Sequence, residues 1–213
     1  MNILFRSDSS STIGTGHIMR DLVLASQYQG SHIIFATQDL SGNINHKIIE
    51  SGYELIGLKT NDKDELLEVL KSCHVDLLVI DHYKIDYTYE SYIKENFDVK
   101  ILAFDDTYEK HNCDILLNHN ISADKKKYKN LVPKKCELRC GSKYTLLRDE
   151  FYDAKKQKTV FLAMGGADHS NLNIKILKVL EDFENIQTIV VTTNANQNLD
   201  ELKEYVNGKE NIT

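Results

Sequence analysis

Arg6, Asp8, Gly14, Gly16 and His17 crowd into one short stretch of the chain, and their types suggest chemistry on an anion. An imidazole titrates near pH ~6.5, so His17 can take up a proton at neutral pH. Gly14 and Gly16 let a backbone approach a ligand closely. Just before them, Ile3, Leu4 and Phe5 form an apolar run that reads as a strand. Just after them, Ile18, Leu22 and Ala25 recur at helical spacing. A strand, a polar loop and a helix start leave backbone N–H groups free at the positive end of a helix, where phosphate is stabilised. The G-T-G-H pattern lacks the third glycine of a dinucleotide fingerprint and the Gly-Lys pair of a P-loop. It says phosphate-facing loop and no more. His17 is then either a general base, a donor to phosphate or a cap on the helix. Arg6 serves the frame or a ligand, and Asp8 is read as bonding loop amides, as short acids do in turns.

Other reactive side chains stand where apolar runs stop. VDLLVI ends at Ile80, and Asp81, His82 and Tyr83 follow. Asp81 could hold His17 in one tautomer, and the Tyr83 hydroxyl could orient a water or a ligand. The run Val99 to Phe104 closes on Asp105 and Asp106. Ile115 to Asn118 runs into His119 and Asn120. A later apolar run, Val160 to Met164, is followed by Gly165, Gly166, Asp168 and Asn171.

The elements that must position these groups alternate strand and helix. Helices are expected over 44–51, 62–72, 87–97, 171–180 and 199–206. Strands are expected over 32–36, 53–58, 75–80, 99–104, 115–118, 160–164 and 188–191. Such alternation predicts an α/β fold with parallel sheets and right-handed crossovers. Ligands then bind beyond the carboxyl ends of the strands, which is where the polar groups above fall. The charged stretch at 154–158 marks a boundary, giving domains 1–154 and 155–213. Two strands and two helices are thin for an independent domain, so the second is expected to be incomplete.

Composition bounds the remaining classes. The chain has 213 residues, 41% apolar and 27% charged, with a formal net charge of -6. That charge argues against nucleic acid as a partner. No apolar run approaches a membrane span and no leader precedes the first strand, so a cytoplasmic protein without a membrane partner is expected. The four cysteines lack metal-site spacing, so no metal is expected, and free thiols suit a reducing compartment.

Several blocks together resemble a known family. They are RSDSSSTIGTGHIMRDLVLA, IDHY, FDD, LLNHN, YTLLRDEF and MGGADHSN, in order along nearly the whole chain. They resemble the nucleotide-sugar hydrolases of pseudaminic acid biosynthesis, which act on UDP-2,4-diacetamido-2,4,6-trideoxy-β-L-altropyranose. The resemblance implies a GT-B-type fold of two Rossmann-like domains, similar to the MurG glycosyltransferases. It implies attack of water at the anomeric carbon with inversion, releasing UDP, with no metal and no cofactor, in a monomer that serves flagellin glycosylation. Carried onto this sequence, it makes His17 the general base and puts Tyr83 beside the sugar. It further implies substrate contacts from Arg6, Asp8, Gly14, Gly16, Asp81, Asn118, Asn120, Arg148, Gly165, Gly166, Asp168 and Asn171. Asp105 and Asp106 are not read as a glycosidase pair, because a nucleoside diphosphate already leaves readily. Two other readings use the same parts: a MurG-like glycosyltransferase, and a nucleotide-sugar-binding module without catalysis.

Overall fold

The structure is a computed structural model. It describes residues 1–147, 158–164, 167–183 and 186–213. The chain divides into two compact units, Met1–Arg148 and Asp149–Thr213. The boundary expected at 154 lies outside the described residues.

Unit 1 is a seven-stranded, wholly parallel sheet in the order β3-β2-β1-β4-β5-β6-β7. Its strands are β1 (Asn2–Ser7), β2 (His32–Gln38), β3 (Glu54–Leu58), β4 (Leu77–Asp81), β5 (Lys100–Phe104), β6 (Ile115–Asn118) and β7 (Glu137–Cys140). Strand order reverses beside β1: β2 and β3 lie to one side, and β4 onward to the other. A crevice opens at such a switch point beyond the strand ends. Here Ser7 of β1 pairs in register with Asp81 of β4.

Both faces of this sheet are covered, which is why its central strands are apolar almost throughout. Leu4, Leu78 and Ile101 pack toward Leu66 and Leu70 of α3 (Lys63–Ser72) and Ile93 of α4 (Tyr87–Asn96). Ile3, Phe5, Phe35 and Val79 pack toward Ile18 and Ala25 of α1 (Gly16–Ala25) and Ile48 of α2 (His46–Glu50). Helices α3 and α4 begin on Asp62 and Asp86, whose carboxylates accept backbone N–H groups of the first turn. Thr15, at the start of α1, makes no such bond, and α1 has no acidic residue in its first turn.

Unit 2 contains β8 (Lys158–Leu162), α5 (Leu172–Leu180), β9 (Ile186–Val190) and α6 (Leu199–Val206). The two strands pair in parallel, with Phe161 opposite Ile189. Leu162, Ile174, Leu177, Leu202 and Ile212 form its small core. Phe161, Ile189 and Val191 stay exposed, so the opposite sheet face is bare among the described residues.

Strand β7 has no counterpart in the sequence reading. It is short and lies at the sheet edge, and of its ELRC residues none is fully buried. An edge strand lacks the apolar run that marks a central one.

Candidate functional site

The loop after β1 is built to stand still. Ser10 and Gly14 exchange two backbone hydrogen bonds across a tight turn, at 3.3 and 2.8 Å. Gly14 closes that turn at φ +86°, a conformation that disfavours any side chain. The Ser10 hydroxyl accepts from the Thr12 and Ile13 amides. Ser11 N–H donates to the Ser41 carbonyl at 3.0 Å, and Ile44 N–H donates to the Ser9 hydroxyl at 3.0 Å. Gly16 opens α1, and a side chain there would meet open space. The loop therefore delivers an uncapped helix start with His17 in its first turn.

Asp81, at the end of β4, meets that helix. His17 Nδ1 is 2.8 Å from Asp81 Oδ1, and both side chains are buried. A carboxylate only accepts, so Nδ1 carries the proton and Nε2 is left with its lone pair. Arg20, one turn along α1, donates Nε–H to Asp81 Oδ2 at 2.5 Å and Nη2–H to Oδ1. Arg20 Nη2 also comes within 3.0 Å of His17 Nδ1, but that nitrogen is already committed as a donor. Burial pushes the Asp81 carboxyl up, yet the bonds from Arg20 and His17 outweigh it and hold it below its ordinary range. Burial likewise opposes the Arg20 charge, and Asp81 more than restores it.

Tyr83 sets its ring edge-to-face against His17, with centroids 5.1 Å apart. Its hydroxyl donates to Asp106 at 3.1 Å, and the residue is 67% exposed. Burial and the Asp106 charge both raise its proton affinity. Arg20 also lies over the Phe104 ring at 5.1 Å and donates to His119 Nε2 at 3.3 Å. Burial and the nearby Arg20 charge lower the His119 pKa. Beside these groups opens a cavity of about 450 Å³, lined by Arg20, Asp81, Tyr83, Phe104, Asp106 and His111 among others. His17 is not in its wall, but its neighbours Asp81, Arg20 and Tyr83 are.

The chain matches other sequences over this whole region. It is 43% identical over 217 residues to the UDP-2,4-diacetamido-2,4,6-trideoxy-β-L-altropyranose hydrolase of Campylobacter jejuni, covering all of this chain and 77% of that protein. The chain belongs to that hydrolase family. It is also 31% identical over 196 residues to an uncharacterized protein of Methanocaldococcus jannaschii, covering 84% of this chain and 40% of that one. Among solved structures it is similar in fold to the UDP-GlcNAc 2-epimerase of Neisseria meningitidis, with a TM-score of 0.50, 10% identity, and coverage of 100% of this chain and 71% of that one. No family model matches the chain.

Other residues singled out in the sequence of this family member occupy different settings. Arg6 is fully buried and grips Asp8 with two bonds, at 2.7 and 2.9 Å. Asp8 also accepts from the Gln38 amide at 2.7 Å and from His82 Nε2–H at 3.1 Å. Burial would raise the Asp8 carboxyl, but His82 and Arg6 hold it far below its usual range. Both side chains thus face inward, tying the ends of β1, β2 and β4 together. Asn118 is buried too, donating to the Tyr128 hydroxyl at 2.9 Å, whereas Asn120 is exposed. Asp105 spends its oxygens on Thr107, Tyr108, Glu109 and Tyr128, which orders the loop after β5. In unit 2, Asp168 accepts from the Leu172 and Asn173 amides at 2.8 and 3.0 Å and so caps α5. Asn171 donates to Glu201 at 3.0 Å. Arg148, Gly165 and Gly166 lie outside the described residues.

Arg20 escaped the sequence reading, although the signal was present. His17, Arg20 and Asp21 stand three and four apart and share one helix face. His111, set between Glu90 and Asp105, gave no local signal, because its hydrogen-bond partner Glu90 comes from α4 and Asp105 from the start of the loop after β5.

Proposed function

We propose that this chain hydrolyses UDP-2,4-diacetamido-2,4,6-trideoxy-β-L-altropyranose by attack of water at the anomeric carbon with inversion. The observation that carries the reading is the His17–Asp81 pair at 2.8 Å in a chain 43% identical to a hydrolase of that name. His17 Nε2 accepts a proton from water while the water oxygen bonds to the anomeric carbon. The bond from that carbon to the β-phosphate oxygen breaks, and its electron pair leaves with UDP. Asp81 keeps Nδ1 protonated and stabilises the imidazolium that forms. The uncapped start of α1, with Gly14 and Gly16, offers amide donors and a positive helix end to the departing diphosphate. Tyr83 orients the water or a sugar substituent.

The substrate contacts expected of Asn118, Asn120, Arg148, Gly165, Gly166, Asp168 and Asn171 belong to the same proposal. So does a GT-B pair of Rossmann-like domains with a boundary near 154. So too does a monomeric, cytoplasmic enzyme supplying pseudaminic acid for flagellin glycosylation. Free thiols at Cys73, Cys113, Cys136 and Cys140 suit that compartment. No helix among the described residues is long and apolar enough to cross a membrane.

The test is UDP release from this substrate by wild type and His17→Ala. Wild type should release UDP without an acceptor, and the variant should be slower by about 10²–10⁴-fold. Release only when an acceptor hydroxyl is supplied would replace the reading with a glycosyltransferase. Binding without release, indifferent to His17→Ala, would replace it with a binding module.

A further inference from the structure

Asp21 lies directly behind this site and has no part in the chemistry above. It is fully buried on α1, one helical turn past His17. Neither carboxyl oxygen has a hydrogen-bond partner at normal geometry, and the Ser7 hydroxyl is also without one. The groups facing Asp21 are Ser7 from β1, Asp81 from β4 and Arg20 from its own helix. Ser7 and Asp81 are register partners, so Asp21 sits over the switch point of the sheet.

Two carboxyls therefore share one buried place with one guanidinium, and Arg20 has given its Nε and Nη2 donors to Asp81. An unpaired carboxylate in such a place is as costly as a buried ion pair broken on one side. A second negative charge beside Asp81 adds to that cost. Taking up a proton removes both penalties and leaves an O–H donor facing the Asp81 carboxylate. Burial first, and the Asp81 charge second, drive the Asp21 pKa well above its ordinary value.

We propose that Asp21 is a positioning residue that stays protonated through the working pH range, leaving Asp81 as the single carboxylate against His17 and Arg20. The proposal rests on the hydrolase reading for its consequence in catalysis, but not for its protonation. A neutral Asp21 steadies Asp81 without competing for Arg20 or for the Nδ1 proton of His17.

Infrared spectroscopy of the whole chain at about pH 7, with ¹³C-labelled aspartate, reads the protonation directly. The carbonyl stretch of a buried carboxylic acid should be present in wild type and missing in Asp21→Asn. Its absence in wild type overturns the proposal, even if no variant folds. The His17 ring, followed by NMR through a pH titration, gives a second reading. Its midpoint should be the same in wild type and Asp21→Asn. A midpoint lower by about half a pH unit or more in the variant would mean that Asp21 carried charge, and overturns the proposal. In turnover, Asp21→Ala should lower kcat about tenfold at unchanged KM, and Asp21→Asn should restore most of the loss. Equal losses in Ala and Asn variants overturn the positioning role. Failure of wild type to release UDP would count against the hydrolase reading alone, since the infrared band and the imidazole titration still decide Asp21.

Discussion

The two units repeat one local plan, a strand, a glycine-bearing loop and a helix, yet they treat the helix start in opposite ways. In unit 1 the loop after β1 is braced by its own backbone and by Ser41 and Ile44, and α1 begins without a side-chain cap. In unit 2 the carboxylate of Asp168 takes the Leu172 and Asn173 amides at the start of α5. A capped helix start is stable and has spent its donors. An uncapped one keeps donors and partial positive charge for a ligand, and its stability must come from elsewhere. Here it comes from Ile18 and Leu24 of α1, packed against the sheet. The acid near α1, Asp81, comes instead from the neighbouring strand and holds side chains rather than amides.

The largest effect should follow from breaking that contrast at Asp81. In Asp81→Asn the amide offers both a donor and an acceptor to His17, so the Nδ1–H tautomer is no longer imposed. Arg20 and a protonated Asp21 lose their charged partner as well. UDP release should fall by about 10²-fold or more, with the fold kept as judged by circular dichroism. An Asp81→Asn variant that turns over at the wild-type rate would show that the acid does not set the tautomer.

A smaller, pH-driven effect should separate the units. The loop after β5 in unit 1 is closed by ions: His111 Nδ1–H donates to Glu90 at 2.7 Å, while Nε2 stands 3.9 Å from Asp105. The second distance is an ion pair and not a hydrogen bond, so Glu90 is the stronger partner. Burial lowers the His111 pKa, but Asp105 and Glu90 together raise it from 6.5 to about 9. A group whose pKa is raised by folding stabilises the fold in full below its unfolded pKa, near 6.5, and loses that contribution as pH climbs through about 9. The loss should be at most about 3 kcal/mol. Hydrogen exchange at pH 6.5 and above pH 9 should show unit 1 loosening around residues 105–113. The amides of α5 should keep their protection once the intrinsic rate is corrected. His111→Gln should flatten the dependence.

Legibility in the sequence followed the physics of each element. Buried strands such as VDLLVI announce themselves, because a sheet covered on both faces favours apolar residues at nearly every position. Helices α3 and α4 were legible from spacing, and Asp62 and Asp86 mark where they start. The edge strand β7 was not, since an edge needs no such run. At the site, Asp81 beside His17 could be anticipated from the rule that ligands gather at strand ends. Arg20 and Asp21 were hidden in plain helical spacing. The inward turn of Arg6 and Asp8 was not legible, because a charged pair near a glycine loop reads the same whether it faces a ligand or Gln38 and His82. His111 was out of reach, being defined by partners that only the fold brings together.

The smallest effect tests the capped side of the contrast. Asp168→Ala frees the Leu172 and Asn173 amides and removes one helix cap, which should destabilise unit 2 by about 1 kcal/mol. Denaturant unfolding followed by exchange at α5 would register it. The Asp168 carboxylate accepts from those two amides, and its backbone carbonyl accepts from Asn198 at 2.9 Å, so the residue is tied into unit 2 from two sides. A purely capping role therefore predicts lost protection in α5 and a KM for the UDP-sugar that moves less than twofold. A substrate contact, as the family resemblance implies for this position, predicts the reverse: a KM raised by about tenfold, the worth of one hydrogen bond to a charged group. A variant with both effects would mean that the cap is displaced when substrate binds. The α5 start would then be a closed form of the arrangement that α1 holds open.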